Sequence, residues 1–181
     1  PPAPLPGAPV SADGPIMRRV GDAFVAAGAT VVGDVRLGRD TNVWYGAVVR
    51  GDDAPLTIGD RTNLQDGVVM HADTDVRNDL AEDVTVGHGA ILHGTRVERY
   101  ALIAMGAVLL GRSVIGEGSI VAAGCVVPEG MVVPPWSLVV GVPGRVVKTL
   151  DPEKRRANAI EIALGYVRKA NDHASGRWKR L

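Results

Sequence analysis

Aliphatic residues recur at every sixth position through most of this chain, and that spacing narrows the available folds more than any other feature. Val25, Val31, Leu37, Val43 and Val49 share one register. After a break at Asp53 to Thr57 it resumes at Ile58, Leu64 and Met70. An insertion near Val76 to Asp79 precedes Leu80, Val86 and Leu92. One short step then reaches Val97, and Ile103, Leu109, Ile115, Val121, Val127, Val133 and Val139 follow without a slip. Four residues after each marker the side chain is usually small, as at Ala47, Ala90, Ala101, Ala107, Ser113 and Cys125. An amphipathic helix would repeat at about 3.6 residues and a half-buried strand at about 2. A sustained period of six instead marks a parallel β-helix, in which each hexapeptide supplies one short strand and one corner and three hexapeptides close a coil. The fold expected is therefore an all-β solenoid with the marker aliphatics inside. A β-sandwich would have to keep this register by accident.

The rest of the chain divides around that solenoid. Residues 1–20 open with Pro1-Pro2-Ala3-Pro4-Leu5-Pro6-Gly7, lack the layout of a signal peptide and read as a flexible N-terminal arm. The β-helix domain is expected over residues 21–147, and residues 148–181 as a C-terminal helix and basic tail. Asp151-Pro152-Glu153 has the form of a helix start, with an N-cap Asp and Pro at the first helical position. Ile160, Ala163, Leu164, Val167 and Ala170 then follow at helical spacing, giving a face suited to the flank of the solenoid or to a neighbouring subunit. The tail Arg177-Trp178-Lys179-Arg180 reads as a solvated terminus.

Charge and cysteine content exclude several functions. Lys plus Arg equals Asp plus Glu at 20 each, so there is no electrostatic case for nucleic acid or for an anionic membrane. No apolar run approaches the roughly 20 residues of a membrane span. A single cysteine, Cys125, precludes an internal disulfide framework and fits a reducing, cytoplasmic setting.

The register turns sequence spacing into geometry. Arg50, His71 and His93 each follow a marker (Val49, Met70, Leu92), and three hexapeptides separate each marker from the next. They should form one column, with adjacent coils roughly 4.8 Å apart. Two imidazoles stacked this way can share a metal. His88 follows the marker one hexapeptide earlier and belongs to another edge of the prism. The packed interior blocks a path between the edges, so His88 should meet a metal held by another chain's His71 and His93. Closed symmetry would then repeat the site at each interface.

Val49-Arg50-Gly51-Asp52, Asn63-Leu64-Gln65-Asp66, Met70-His71-Ala72-Asp73 and Val86-Gly87-His88-Gly89-Ala90-Ile91-Leu92-His93-Gly94 together resemble the γ-class carbonic anhydrase family over about residues 24 to 170. The resemblance implies a left-handed parallel β-helix of hexapeptide repeats and a homotrimer with Zn2+, or Fe2+ or Co2+, at each interface. His71 and His93 match the ligands of one chain and His88 that of its neighbour. Arg50 and Asp52 match a pair that salt-bridges across the interface. Gln65 matches a residue that hydrogen-bonds metal-bound water, with Asp66 orienting its amide and Asn63 nearby. Tyr166 resembles a family tyrosine that reaches toward the site.

The implied activity is reversible hydration of CO2 to bicarbonate by a metal-bound hydroxide. For the proton relay, the family's first glutamate position holds Asp53, and the acidic loop after the first histidine is the short Asp73 to Asp79. Three other functions fit the same scaffold: an acyl-coenzyme A thioesterase of the family, a metal-binding trimer with little activity, and a hexapeptide acyltransferase. The last has a closing turn similar to Gly141-Val142-Pro143-Gly144-Arg145, but typically works with one histidine rather than three.

Overall fold

In the computed structural model, which describes residues 16–178, the six-residue register winds into a parallel β-solenoid of about six turns closed by one helix. Each turn stacks on the next through parallel pairing: Met70 lies over Val49, Leu92 over Met70, Leu109 over Leu92 and Val127 over Leu109. Val43, Leu64, Val86, Ile103 and Val121 form a second inward column. Leu37, Ile58, Leu80, Val97, Ile115 and Val133 form a third. These columns, with the small corner residues Ala47, Val68, Ala90, Ala107 and Cys125, make up the single core of the prism. Since consecutive turns bury each other's apolar faces, no turn could be stable alone.

The breaks in the register are places where the chain leaves the prism. Gly33 pairs with Gly51 and Val35 with Leu56, so the strand Val48–Ile58 carries three more residues than its neighbour between the same two pairings. The excess forms a bulge at residues 52–54, which exposes Asp52 and Asp53. A bulge re-aims side chains locally without unpairing the flanking ladder.

Both ends of the solenoid are covered by antiparallel hairpins. Met17–Val20 pairs with Ala23–Ala26 at one end, and Ser137–Val140 with Arg145–Thr149 at the other. Of the expected N-terminal arm, residues 1–15 lie outside the described residues, while Met17–Val20 is a strand. Residues 179–181 of the basic tail also lie outside them.

Helix α1 spans Pro152–Ala174. Asp151 caps it, its carboxylate accepting from the backbone N–H groups of Glu153 at 3.0 Å and Lys154 at 3.1 Å. The buried side of α1 differs from the expected apolar stripe. Ala159, Ala163 and Ala170 are buried together with Arg155, whereas Leu164 is exposed. Alanine lets the helix axis approach the strands Asn42–Val43 and Thr85–Val86, and Trp44 and Tyr166 pack edge-on beside it. A leucine turned inward would hold the helix off. Among the described residues, no helix is long and apolar enough to cross a membrane.

Candidate metal centre

Arg50, His71 and His93 pair in register as one outward column, as their spacing requires. The His71 and His93 rings lie 5.4 Å apart between centroids. The bulge folds back over the lower ring: Asp53 Oδ2 is 3.0 Å and Asp52 Oδ1 3.4 Å from His71 Nε2. Asp52, Asp53 and His71 thus form a group whose donor atoms all lie within 4.8 Å of one another, close enough to hold a metal ion. Asp73 Oδ1 stands 3.6 Å from His93 Nε2. The Arg50 guanidinium donates to both carboxylate oxygens of Asp52 at 2.7 and 2.8 Å, and that bond holds the Asp52 carboxyl below its ordinary range. Arg50 and Asp52 therefore pair within the chain, where the resemblance implies pairing between chains.

His88 stands on a different edge. Hydrogen bonds from Gly67 N to Tyr45 O, Gly89 N to Asp66 O and Gly106 N to His88 O, each 2.9 Å, stack Tyr45, Asp66, His88 and Met105 in a column of corners. The His88 ring is half exposed, and its Nδ1 lies 2.8 Å from Asp66 Oδ2, which leaves Nε2 as its available donor. Among the described residues, no metal-spaced group joins His88 to His71 and His93.

Gln65 is nearly buried, and the residue that orients it is not Asp66. Its Nε2 donates to Asn63 Oδ1 at 3.2 Å, and Asn63 Nδ2 donates in turn to Thr85 Oγ1 at 3.0 Å. Asn63 and Gln65 sit two residues apart, so they share one face of the strand, while Asp66 has already turned the corner toward His88. Orientation of the Gln65 amide belongs to Asn63. Asp66 serves the histidine instead.

Tyr166 of α1 packs edge-on against Trp44 at 5.6 Å. Burial, and then the negative charge of Asp66, push its phenol above the ordinary value. Its position flanks the corner that carries Gln65 and Asp66. The sequence spacing of the other histidines set His173 apart, yet its Nδ1 lies 2.7 Å from the Tyr45 hydroxyl. His173 follows Tyr166 by seven residues, which puts both on one side of α1 and both rings against Trp44.

Parallel coils, a six-residue register and small corner residues define a hexapeptide-repeat β-helix protein. Residues 94–129 match the family described as bacterial transferase hexapeptide, six repeats. A crystal structure of a hexapeptide transferase family protein from Anaplasma phagocytophilum superposes with a TM-score of 0.79 at 32% identity, over 84% of this chain and 89% of that one. The chain is 48% identical over 147 residues to a carbonic anhydrase of Geobacillus kaustophilus, covering 81% of this chain and 80% of that protein. It is 36% identical over 160 residues to the mitochondrial gamma carbonic anhydrase 2 of Arabidopsis thaliana, covering 85% of this chain and 57% of the plant protein. The chain belongs to the γ-class carbonic anhydrase family.

Proposed function

We propose that this chain is a metal-dependent carbonic anhydrase that hydrates CO2 reversibly to bicarbonate at sites shared between the subunits of a homotrimer. The observation that carries this reading is the split of the histidines: His71 and His93 in one column, His88 on another edge. The outer surface beside the paired histidines supports assembly. Val48, Val69, Ile91, Val108 and Val126 form an outward aliphatic column next to them, and Val69 and Ile91 are more than a third exposed. Covering the exposed third or so of each such side chain is worth about 0.5–1 kcal/mol, which the isolated chain forgoes. The matching column on the next face is charged or polar over the same coils, at Arg36, Thr57, Asp79 and Arg96, and turns aliphatic only beyond them, at Val114 and Val132.

The donor set suits a divalent metal: two imidazoles from adjacent coils of one chain, and a third whose Nδ1 is already fixed by a carboxylate. A divalent cation bound there supplies the Lewis acidity that turns water into a nucleophile near neutral pH. Zinc is the first choice, and iron or cobalt suits imidazole as well. Asp66 sets the tautomer and orientation of His88. Because Asn63 holds the Gln65 Nε2, Gln65 Oε1 remains to accept a hydrogen bond from the attacking water and to turn its lone pair toward carbon. Arg50 and Asp52 enter the interface already neutralising each other, so neither charge is buried alone. Tyr166 walls the same corner. The lone buried Cys125 supports a reducing, cytoplasmic setting.

The test is CO2 hydration by zinc-, iron- and cobalt-loaded protein, with His71→Ala as control and sedimentation reporting mass. Hydration by a trimer, lost in His71→Ala, is expected. A loaded trimer that cleaves acyl-coenzyme A but leaves CO2 untouched would overturn the substrate, and a metal-binding monomer would overturn the shared site.

A further inference from the structure

Hydration of CO2 yields bicarbonate and one proton, so a site of the proposed kind needs a group that takes this proton and hands it to buffer. The aspartates of the 52–54 bulge suit that task poorly. Arg50 ties up both carboxylate oxygens of Asp52, and Asp53 Oδ2 lies against the His71 ring at 3.0 Å. An imidazole, ordinarily near ~6.5, matches neutral solution far better.

The fourth histidine of the chain stands beside the edge that carries His88. His173, in the last turn of α1, reaches back to the corner at Tyr45, and Tyr45 shares its column with Asp66 and His88. Trp44 meets the ring edge-on at 5.1 Å, and Trp178 tilts against it at 6.4 Å. The charges that face it among the described residues are Asp66 from the solenoid edge and Asp172 from α1, the latter tied to Arg177 at 2.9 Å. Burial lowers the imidazole below its ordinary value, and the two aspartates pull it part of the way back.

We infer that His173, positioned by Tyr45, is the proton-transfer residue of this site. The inference rests on the CO2-hydrating reading above. In the working arrangement Nδ1–H donates to Tyr45 Oη, and Nε2 keeps its lone pair. A proton released by hydration reaches Nε2 through water and makes the ring an imidazolium. Nε2 then gives that proton to a buffer base, which restores the neutral ring without moving it. Tyr45 is the positioning residue, because its hydroxyl decides which nitrogen stays open.

Oxygen-isotope exchange at chemical equilibrium separates the two steps in the metal-loaded protein. One rate reports interconversion of CO2 and bicarbonate, and the other reports release of labelled oxygen to water, which needs the proton. His173→Asn is expected to leave the first within about twofold and to lower the second about tenfold or more, with added imidazole restoring it. If the second rate matches wild type while interconversion persists, the relay is overturned and the hydration reading stands. If wild type shows no interconversion, the hydration reading falls and the relay with it. Nitrogen NMR of the metal-free full chain gives a readout independent of activity. The neutral His173 ring is expected as the Nδ1–H tautomer with a midpoint below that of a free histidine, and Tyr45→Phe should release it to the Nε2–H form. A wild-type ring already in the Nε2–H form would overturn the assignment.

Discussion

Two edges of the prism share one backbone conformation and are built from opposite side chains. At one edge the left-handed corner position holds Asp40, Arg61, Asp83 and Tyr100, then Gly118 and Trp136, with φ between 55° and 64°. At the other it holds Gly46, Gly67, Gly89, Gly106 and Gly124, with φ between 65° and 70°. Left-handed backbone costs a side chain roughly 1–2 kcal/mol, and the first edge bears that cost repeatedly. Backbone strain alone therefore does not demand glycine at the second. Nor does crowding, since a Cβ at Gly46, Gly89, Gly106 or Gly124 would meet nothing of this chain within 4 Å. The first edge uses its side chains at home: Arg61 makes two 2.7 Å bonds to the buried Asp83, and Arg99 and Arg156 flank the Tyr100 ring. The bare edge carries Asp66 and His88. Its narrowness suits insertion between the histidines of another subunit.

The sharpest way to break this contrast is complementation across the proposed interface. His88→Ala and His71→Ala are each expected to lose CO2 hydration by about 10³-fold or more. Mixing and exchanging their subunits should restore part of the rate, because some interfaces then combine an intact His71 and His93 with an intact His88. No recovery in proven mixed trimers would locate the site within one chain.

Next in size is the exchange of edge chemistries. Gly106→Tyr copies what Tyr100 does at the other edge and should cost the isolated chain only about 1–2 kcal/mol. Sedimentation should nevertheless show the assembly falling to monomers, and an unaltered trimer would mean that the bare edge faces solvent. At the occupied edge the expected loss is one of stability instead. Asp83→Ala leaves Arg61 without its partner and should lower unfolding free energy by about 3 kcal/mol in a denaturant titration, with metal content unchanged. The smallest effect belongs to orientation. Asp66→Asn should weaken metal retention about 10- to 100-fold in a chelator competition, because His88 loses the carboxylate that fixes its ring. Unchanged retention would return Asp66 to the role of a turn residue.

The register carried most of the fold and part of the site, because stacking converts equal spacing directly into neighbourhood. Val49, Met70 and Leu92 announced the column of Arg50, His71 and His93, and the same rule put His88 elsewhere. Asp66 and His88 were equally open to that rule, since they occupy matching corners of successive coils, but the resemblance drew attention to Gln65 instead. The face of α1 was less legible. Its burial depends on how closely the helix axis approaches the sheet, which favours Ala159, Ala163 and Ala170 over Leu164. The pairing of Tyr45 with His173 depends on that same rotation and spans 128 residues, so no local pattern announced it.

The coils that hold chemistry and the coils that merely continue the prism differ in one further respect. Where the histidines lie, successive turns vary in length, with a bulge at 52–54 and a loop after His71. Beyond them Ile103 pairs with Val121, Leu109 with Val127 and Ile115 with Val133, each at the same eighteen-residue separation. Every added turn would present the next with an identical docking surface. This part of the chain behaves as a ruler: duplicating one eighteen-residue block there would lengthen the prism by about 4.8 Å while His71, His88 and His93 stayed where they are.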